Sequence, residues 1–374
     1  MAFSDIRYNI ILNAKNIPGW RTRRKIVIIE CDDWGGIRIP SKAVYEKLLR
    51  AGLPLSKNRY RFDTLATQDD LELLFTVLES VKDKNGHRAV MTPVSNMANP
   101  DFEKIKQNRF REYYYEKFTD TLLKYGRGEG VFKLWRQGIE AGIFIPELHG
   151  RDHLTVQIWL QKLREGNKNL LLAFDNGLVA MNVPGLHNAM REFRPEFYFD
   201  TEDQKPFLKN AIKEGVSLFR EIFNYTPRVF VPSNGIFHPD FEESVSETGV
   251  KFLYVSHSSP IPDGKGAIIY KFHIPGQKQI NGLTYYTRNC AFEPTDDNYK
   301  GIELTLKQVA SAFRWGKPAN ISTHRANFVS GIDPANRERG LKELERILKA
   351  IVQFWPDVEF MCAGDALELM KNSN

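Results

Sequence analysis

The chain has 374 residues, 42% of them hydrophobic, which is enough to bury a large core and lies within the range of one α/β barrel. Lysine and arginine outnumber aspartate and glutamate by 52 to 46, an excess scattered along the chain that excludes a long basic tail and permits, without requiring, an anionic partner. Three widely spaced cysteines (Cys31, Cys290, Cys362) argue against a disulfide framework and a thiolate cluster, so any metal must rest on histidine and carboxylate. The opening segment MAFSDIRYNIILNAKN lacks the pattern of a signal peptide and no apolar run is long enough to span a bilayer, so a cytoplasmic protein without a membrane span is expected. The run Arg21–Lys25 reads as a solvated strand entry, and with no basic stripe elsewhere a nucleic-acid partner is not expected.

In chain order, the first predicted strand is Lys25–Cys31, a continuous β-branched run of the kind covered on both faces in a parallel sheet. It ends in Asp32-Asp33-Trp34-Gly35-Gly36. A helix is expected from an N-cap at Ser41 to Arg50, closed by Gly52 and Pro54. Strand Arg88–Pro93, helix Gly130–Glu140 and strand Ile143–Leu148 follow, the last running into His149. Apolar residues from Phe207 to Phe223 recur at helical spacing, Arg228–Pro232 reads as a short strand, and Asp240 with Glu243 forms a capping-box pattern before strand Lys251–Ser256. Ala267–Ile274 and Leu283–Cys290 read as two strands paired through Gly276 to Gly282. Helix Glu303–Trp315, strand Asn320–His324, helix Leu341–Trp355, strand Val358–Cys362 and helix Asp365–Lys371 complete the alternation. Alternating strands and helices predict parallel β/α architecture in one domain over 1–374, with a core of about 25–370 and insertions near 55–86, 108–128 and 166–200. In such sheets functional groups gather at the carboxyl ends of strands, where Asp32-Asp33, His149, Asn234 and His324 all fall.

Two adjacent carboxylates closing a buried strand repel unless a cation or shared proton relieves them. Asp33 as a ligand and Asp32 as a free base would use such a cation; the bland reading of an isolated Asp-Asp is a polar turn. His149 and His153 form H-x-x-x-H, a spacing that puts both imidazoles on one face of a helical turn or helix-like loop. Two histidines and a carboxylate leave coordination positions open for water and substrate. His324, at another strand end, is the candidate general acid. Aromatic residues in the insertions, among them Tyr113 to Tyr115, Trp135, Trp159 and Phe197 to Phe199, offer faces for sugar rings, although most residues of this kind pack the core.

The order of these motifs resembles the polysaccharide deacetylase family, the NodB-homology fold also called carbohydrate esterase family four. IIECDDWGG is similar to that family's strand ending in T-F-D-D-G, IEAGIFIPELHGRDH to its helix and histidine motif, GHRAVMTPVSN to the strand between them, Val231 to Gly235 to its R-x-P-Y-G motif, and ISTH to its final strand and histidine. The resemblance implies an incomplete, distorted (β/α)7-type barrel, with Asp32 as base, Asp33, His149 and His153 as ligands of one divalent ion, and His324 as acid. Zinc is expected there, with cobalt, nickel or manganese as alternatives. The family's third-motif arginine is replaced by Val231 and its tyrosine by Asn234, so the partner of Asp32 must come from elsewhere, with Arg288 or Arg325 as candidates. Gly150 replaces a serine or threonine. The implied function is removal of acetyl groups from a carbohydrate, with Trp34, Asn234, Arg288 and Arg325 as candidate substrate contacts and a backbone N–H near Asn234 stabilising the oxyanion. Two rivals are a metal-assisted glycosidase, which would need a further carboxylate pair such as Glu147 with Asp152, and a carbohydrate-binding protein without activity. Oligomeric state is not legible.

Overall fold

A computed structural model describes residues 3–55, 59–179, 181–183 and 185–372. Its main sheet has nine strands: β1 (Lys25–Trp34), β2 (Met91–Asn96), β3 (Glu147–Gly150), β4 (Val229–Phe230), β5 (Phe252–Tyr254), β6 (Thr284–Tyr286), β7 (Cys290–Ala291), β8 (Ala319–His324) and β9 (Val358–Phe360). Their order is β6-β5-β4-β3-β2-β1-β8-β7, with β9 also against the amino end of β1, and every pairing is parallel.

The two edges of this sheet are β6 and β7, yet only Thr287, Arg288 and Asn289 separate them in sequence. Four residue steps span at most about 14 Å, whereas eight strands laid flat would set their outer members about 34 Å apart. The sheet therefore curls until its edges face each other across a seam. This is the expected incomplete barrel. The interior is filled low down by Ile26, Ile28, Val94, Val229, Phe252 and Tyr286, and Ala366, Leu367 and Met370 of helix Ala363–Asn372 plug that end. Outside, Val27, Ile29 and Cys31 of β1 share the main core with Leu71, Leu74, Trp135, Phe219 and Leu344 of the surrounding helices. Burial on both faces explains why β1 reads as an unbroken apolar run, each buried Val or Ile contributing roughly 1.5–3 kcal/mol.

Local signals set several boundaries as expected. Ser41 caps helix Lys42–Arg50, its Oγ accepting from the Val44 N–H at 3.2 Å. Helix Gln68–Glu79, unforeseen inside the 55–86 insertion, starts at a reciprocal capping box between Thr67 and Asp70 and buries Leu71, Leu74 and Leu78 in the main core. Helix Pro334–Phe354 begins seven residues before the predicted start, capped by Asp333. The N-terminal helix Phe3–Ala14 was also unforeseen.

Three expectations are corrected. Ile268–Phe272 pairs antiparallel with Ser258–Pro262, while Thr284–Tyr286 joins the main sheet beside β5; the Gly276–Gly282 segment does turn back, Lys278 bridging antiparallel to Thr284, but it does not pair those two strands with each other. Asp240 does not cap its helix. The His238 Nδ1 accepts the Asp240 N–H at 3.1 Å and the Asp240 carboxylate takes a hydrogen bond from Lys205 at 2.6 Å. Trp135, Trp159, Phe197, Tyr198 and Phe199 are all buried in the core, so none offers a face to sugar. Among the described residues, no helix is long and apolar enough to cross a membrane.

Candidate metal centre

Along β1 the residues Ile26, Ile28, Glu30 and Asp32 face the barrel interior, and strict alternation would send Asp33 outward. It does not go there. The β1–β2 register slips between Cys31 and Trp34, and Asp33 adopts φ 72°, a left-handed conformation that aspartate tolerates better than most residues. The bulge brings the Asp33 Oδ1 to 3.1 Å from the His153 Nε2 and 3.5 Å from the His149 Nε2. The same slip turns Trp34 into the helix layer, 1% exposed and edge-on to Trp135 and Phe144, which corrects its expected role in binding substrate.

His149 lies within β3, and His153 in the loop after it, so the pair is not carried on a helical turn. The His149 Nδ1 sits 2.7 Å from the Val231 carbonyl, which can only accept; that nitrogen therefore carries the hydrogen and Nε2 offers a lone pair. Val231 thus orients a histidine through its backbone. The loop is pinned to the chain just beyond β2 by the Met97 and Ala98 N–H groups, both donating to the Arg151 carbonyl at 3.0 and 2.7 Å. Gly150 ends β3 at φ 130°, a conformation L side chains rarely adopt, and a Cβ there would lie 2.0 Å from the Glu196 Oε2, so a serine or threonine would be strained and would have to displace the Glu196 carboxylate.

The three donor atoms lie within 4.8 Å of one another, and the Asp33 Oδ2 is buried without a hydrogen-bond partner. Burial pushes the Asp33 carboxyl up, but the imidazoles of His153 and His149 more than reverse this and hold it well below the usual range. Burial also pushes His153 below its ordinary value, against the pull of Asp33. An ionised carboxylate beside a neutral imidazole is the protonation state that a divalent cation requires, and the donor set fits one.

Asp32 is held differently. Arg288 spans the seam and donates to both of its oxygens, at 2.6 and 2.8 Å, while its Nε reaches the Glu30 Oε2 at 2.6 Å. Glu30 is anchored in turn by the Tyr286 hydroxyl at 3.0 Å and the Asn320 amide at 2.7 Å. Burial raises the Asp32 carboxyl, but Arg288 first and His149 next outweigh it and leave it below its ordinary value. Of the two arginines offered as partner of Asp32, Arg288 is the one that pairs with it. Arg325 does not: its Nε and Nη2 both donate to the Asp63 Oδ1, at 3.0 and 2.7 Å, which locks it away from Asp32.

At the end of β8, the His324 Nδ1 lies 2.6 Å from the Glu293 Oε1 and the ring stands edge-on to Tyr60. Burial lowers this imidazole, yet Glu293 raises it by more, to about 10, so it is protonated at neutral pH. Glu293 was missed in the sequence, although it follows β7 closely and the strand-end rule would have flagged it.

Asp32, Asp33, His149, His153, Asn234, Arg288 and His324 all line one cavity of about 200 Å³, with Tyr60, Arg194, Tyr254 and Ser256 completing its wall. Asn234 enters it at φ 56° from the turn after β4. A larger hollow of about 530 Å³ lies at the opposite end of β1, near Arg24, His87 and Glu359, and among the described residues it holds no cluster of His, Cys, Asp and Glu that could grip an ion. Glu147 and Asp152 line neither: Glu147 accepts from the N–H groups of Arg228 and Val229, and Asp152 from Tyr113 and Arg151. The glycosidase reading thereby loses its carboxylate pair. Tyr60, Arg38 and Arg194 gave no sequence signal, since they sit in irregular segments without periodicity.

No family model matches the chain, and no curated protein does. Solved structures match at the level of fold. A protein from Parabacteroides distasonis described as a glycoside hydrolase/deacetylase aligns over 96% of this chain and 73% of its own, at 10% identity and a TM-score of 0.48. A 4-alpha-glucanotransferase from Thermococcus litoralis aligns over 92% at 13% identity and a TM-score of 0.43, and this chain spans only 40% of its length. A family 4 acetyl xylan esterase from Clostridium thermocellum, solved with a cobalt ion, aligns over 92% of this chain and 91% of its own at 11% identity and a TM-score of 0.34. Two further matching structures, from Mycobacterium smegmatis and Pseudomonas aeruginosa, are described as polysaccharide deacetylases, at 11% and 12% identity and TM-scores of 0.40 and 0.42.

Proposed function

We propose that this protein is a metal-dependent hydrolase that removes an acetyl group from a carbohydrate. The observation that carries the reading is the bulge at Asp33, which brings a carboxylate against two imidazoles while leaving Asp32, its neighbour, outside that donor set and paired with Arg288. The carbohydrate class rests on the resemblance of the sequence motifs to polysaccharide deacetylases.

Asp33, His149 and His153 would hold the ion. A divalent cation there supplies Lewis-acid activation of water and of the acyl oxygen. Asp32 accepts the proton of the attacking water; each of its oxygens keeps a lone pair beyond the one used by Arg288, which also keeps the carboxylate ionised. His324, held protonated by Glu293, delivers a proton to the departing nitrogen or oxygen. The Gly235 N–H already donates to the Pro232 carbonyl at 2.9 Å, so Asn234 is the residue of that turn assigned to steady the oxyanion.

Elemental analysis of the purified protein with an acetate-release screen over N- and O-acetylated glycans tests this. The expected result is about one divalent ion per chain, and acetate release that falls by two to four orders of magnitude in Asp32→Asn. A protein without bound metal, or an Asp32→Asn variant of full activity, refutes it.

A further inference from the structure

Five arginines crowd the cavity and its rim, and four are committed to carboxylates. Arg288 holds Asp32 and Glu30, Arg325 holds Asp63, Arg38 pairs with Asp63 at 3.0 Å and Glu192 at 3.3 Å, and Arg59 pairs with Glu293 at 3.1 Å and Asp296 at 2.7 Å. Arg194 differs. It is 7% exposed and lines the cavity, yet it donates no hydrogen bond among the described residues, and its Nε is buried without a hydrogen-bond partner. Its one ion pair, from Nε to the Glu192 Oε2 at 3.5 Å, is shared with Arg38, and its two Nη groups have no acceptor among the described residues.

The guanidinium is nonetheless fixed in place. Its central carbon stacks 4.3 Å from the centroid of the Tyr60 ring, the same ring contacted by Arg38 and Arg59. A guanidinium held at a cavity wall with Nη donors that no protein group takes is ready for a ligand that brings acceptors, and its planar fork matches two oxygens of one oxyanion. We infer that Arg194 binds an anionic group of the substrate, a carboxylate or a phosphate borne by the sugar, beside the metal triad. This assignment rests on the proposed hydrolase reading for the word substrate, but the binding it describes does not depend on turnover.

Binding of inorganic phosphate, glucuronate and glucose to the intact protein, measured by calorimetry with and without EDTA, tests it. At least one anion should bind more tightly than glucose in both conditions, and Arg194→Met should remove that preference, a loss of roughly 10- to 100-fold. Preference for glucuronate assigns a carboxylate, and preference for phosphate a phosphoryl group. Equal or weaker binding of both anions overturns the inference, as does a preference that survives Arg194→Met or vanishes with EDTA, the last meaning that the anion sat on the metal. Should Arg194→Met not fold, Arg194→Lys decides: it keeps the charge, loses the fork, and should weaken the anion about tenfold while leaving glucose unchanged. Absence of acetate release alongside an Arg194-dependent preference would sink the hydrolase reading and leave this site standing.

Discussion

Replacing Arg288 by methionine would remove the positive charge from between two buried carboxylates. Arg288 is 6% exposed at its side chain, Glu30 is fully buried and Asp32 nearly so, and the guanidinium makes four hydrogen bonds, two to Asp32, one to Glu30 and one to Ser322. Breaking a buried pair by deleting one partner costs about 3–5 kcal/mol, because the surviving charge keeps its desolvation penalty. Arg288→Met should lose at least that much in denaturant unfolding at pH 7. The loss should also depend on pH in a definite sense. In the parent, Asp32 lies below its ordinary value of 3.8, so its contribution is present above that pH and is lost as the pH falls through the lower folded value. Without Arg288, burial acts with less opposition and favours the protonated acid, so the variant should recover relative to the parent as the pH is lowered from 7 toward 4. Equal stability at pH 7, or a gap of constant size across that range, would refute the claim that the guanidinium offsets these charges.

Asp33→Ala and His149→Ala should each abolish stoichiometric binding of a divalent ion in calorimetry, and retention of full stoichiometry in either would remove that residue from the ligand set. Gly150→Ala, with its φ of 130° and a Cβ 2.0 Å from the Glu196 Oε2, should cost about 2–4 kcal/mol in unfolding and weaken metal binding by displacing the histidine loop; parent-like stability would show that Glu196 yields freely. His324 is raised from 6.5 to about 10, so the stability it gains from Glu293 is fully present below 6.5 and is lost as the pH climbs through 10. In a melting-temperature series from pH 6 to 10, His324→Asn should flatten this alkaline decline, and an unchanged slope would count against the pair.

The parts of the site written most plainly in the sequence were those that violate the chemistry of their surroundings. Carboxylates and imidazoles at the ends of apolar β runs are expensive unless they serve one another, and Asp32, Asp33, His149 and His324 stood out for that reason. Arg288 and Arg325 were indistinguishable at that level, because only the curl of the sheet decides which of them reaches Asp32. Trp34 misled because a one-residue bulge reverses which side chains face inward, and nothing in Asp-Asp-Trp announces a left-handed aspartate. The strand Ile268–Phe272 was assigned the wrong neighbour, since pairing between segments of similar composition depends on the path of the intervening chain. Tyr60 and Arg194 come from segments without repeating pattern, where position in space carries all the information, whereas Glu293, just past β7, was within reach of the strand-end rule.

The seam between β6 and β7 has a mechanical side. These strands are not paired with each other among the described residues, and Arg288, on the short span between them, is tied to β1 and β8. The same three-residue connection that closes the barrel therefore also delivers the positive charge that balances Asp32, so closure of the wall and charge balance of that carboxylate rest on one short piece of chain.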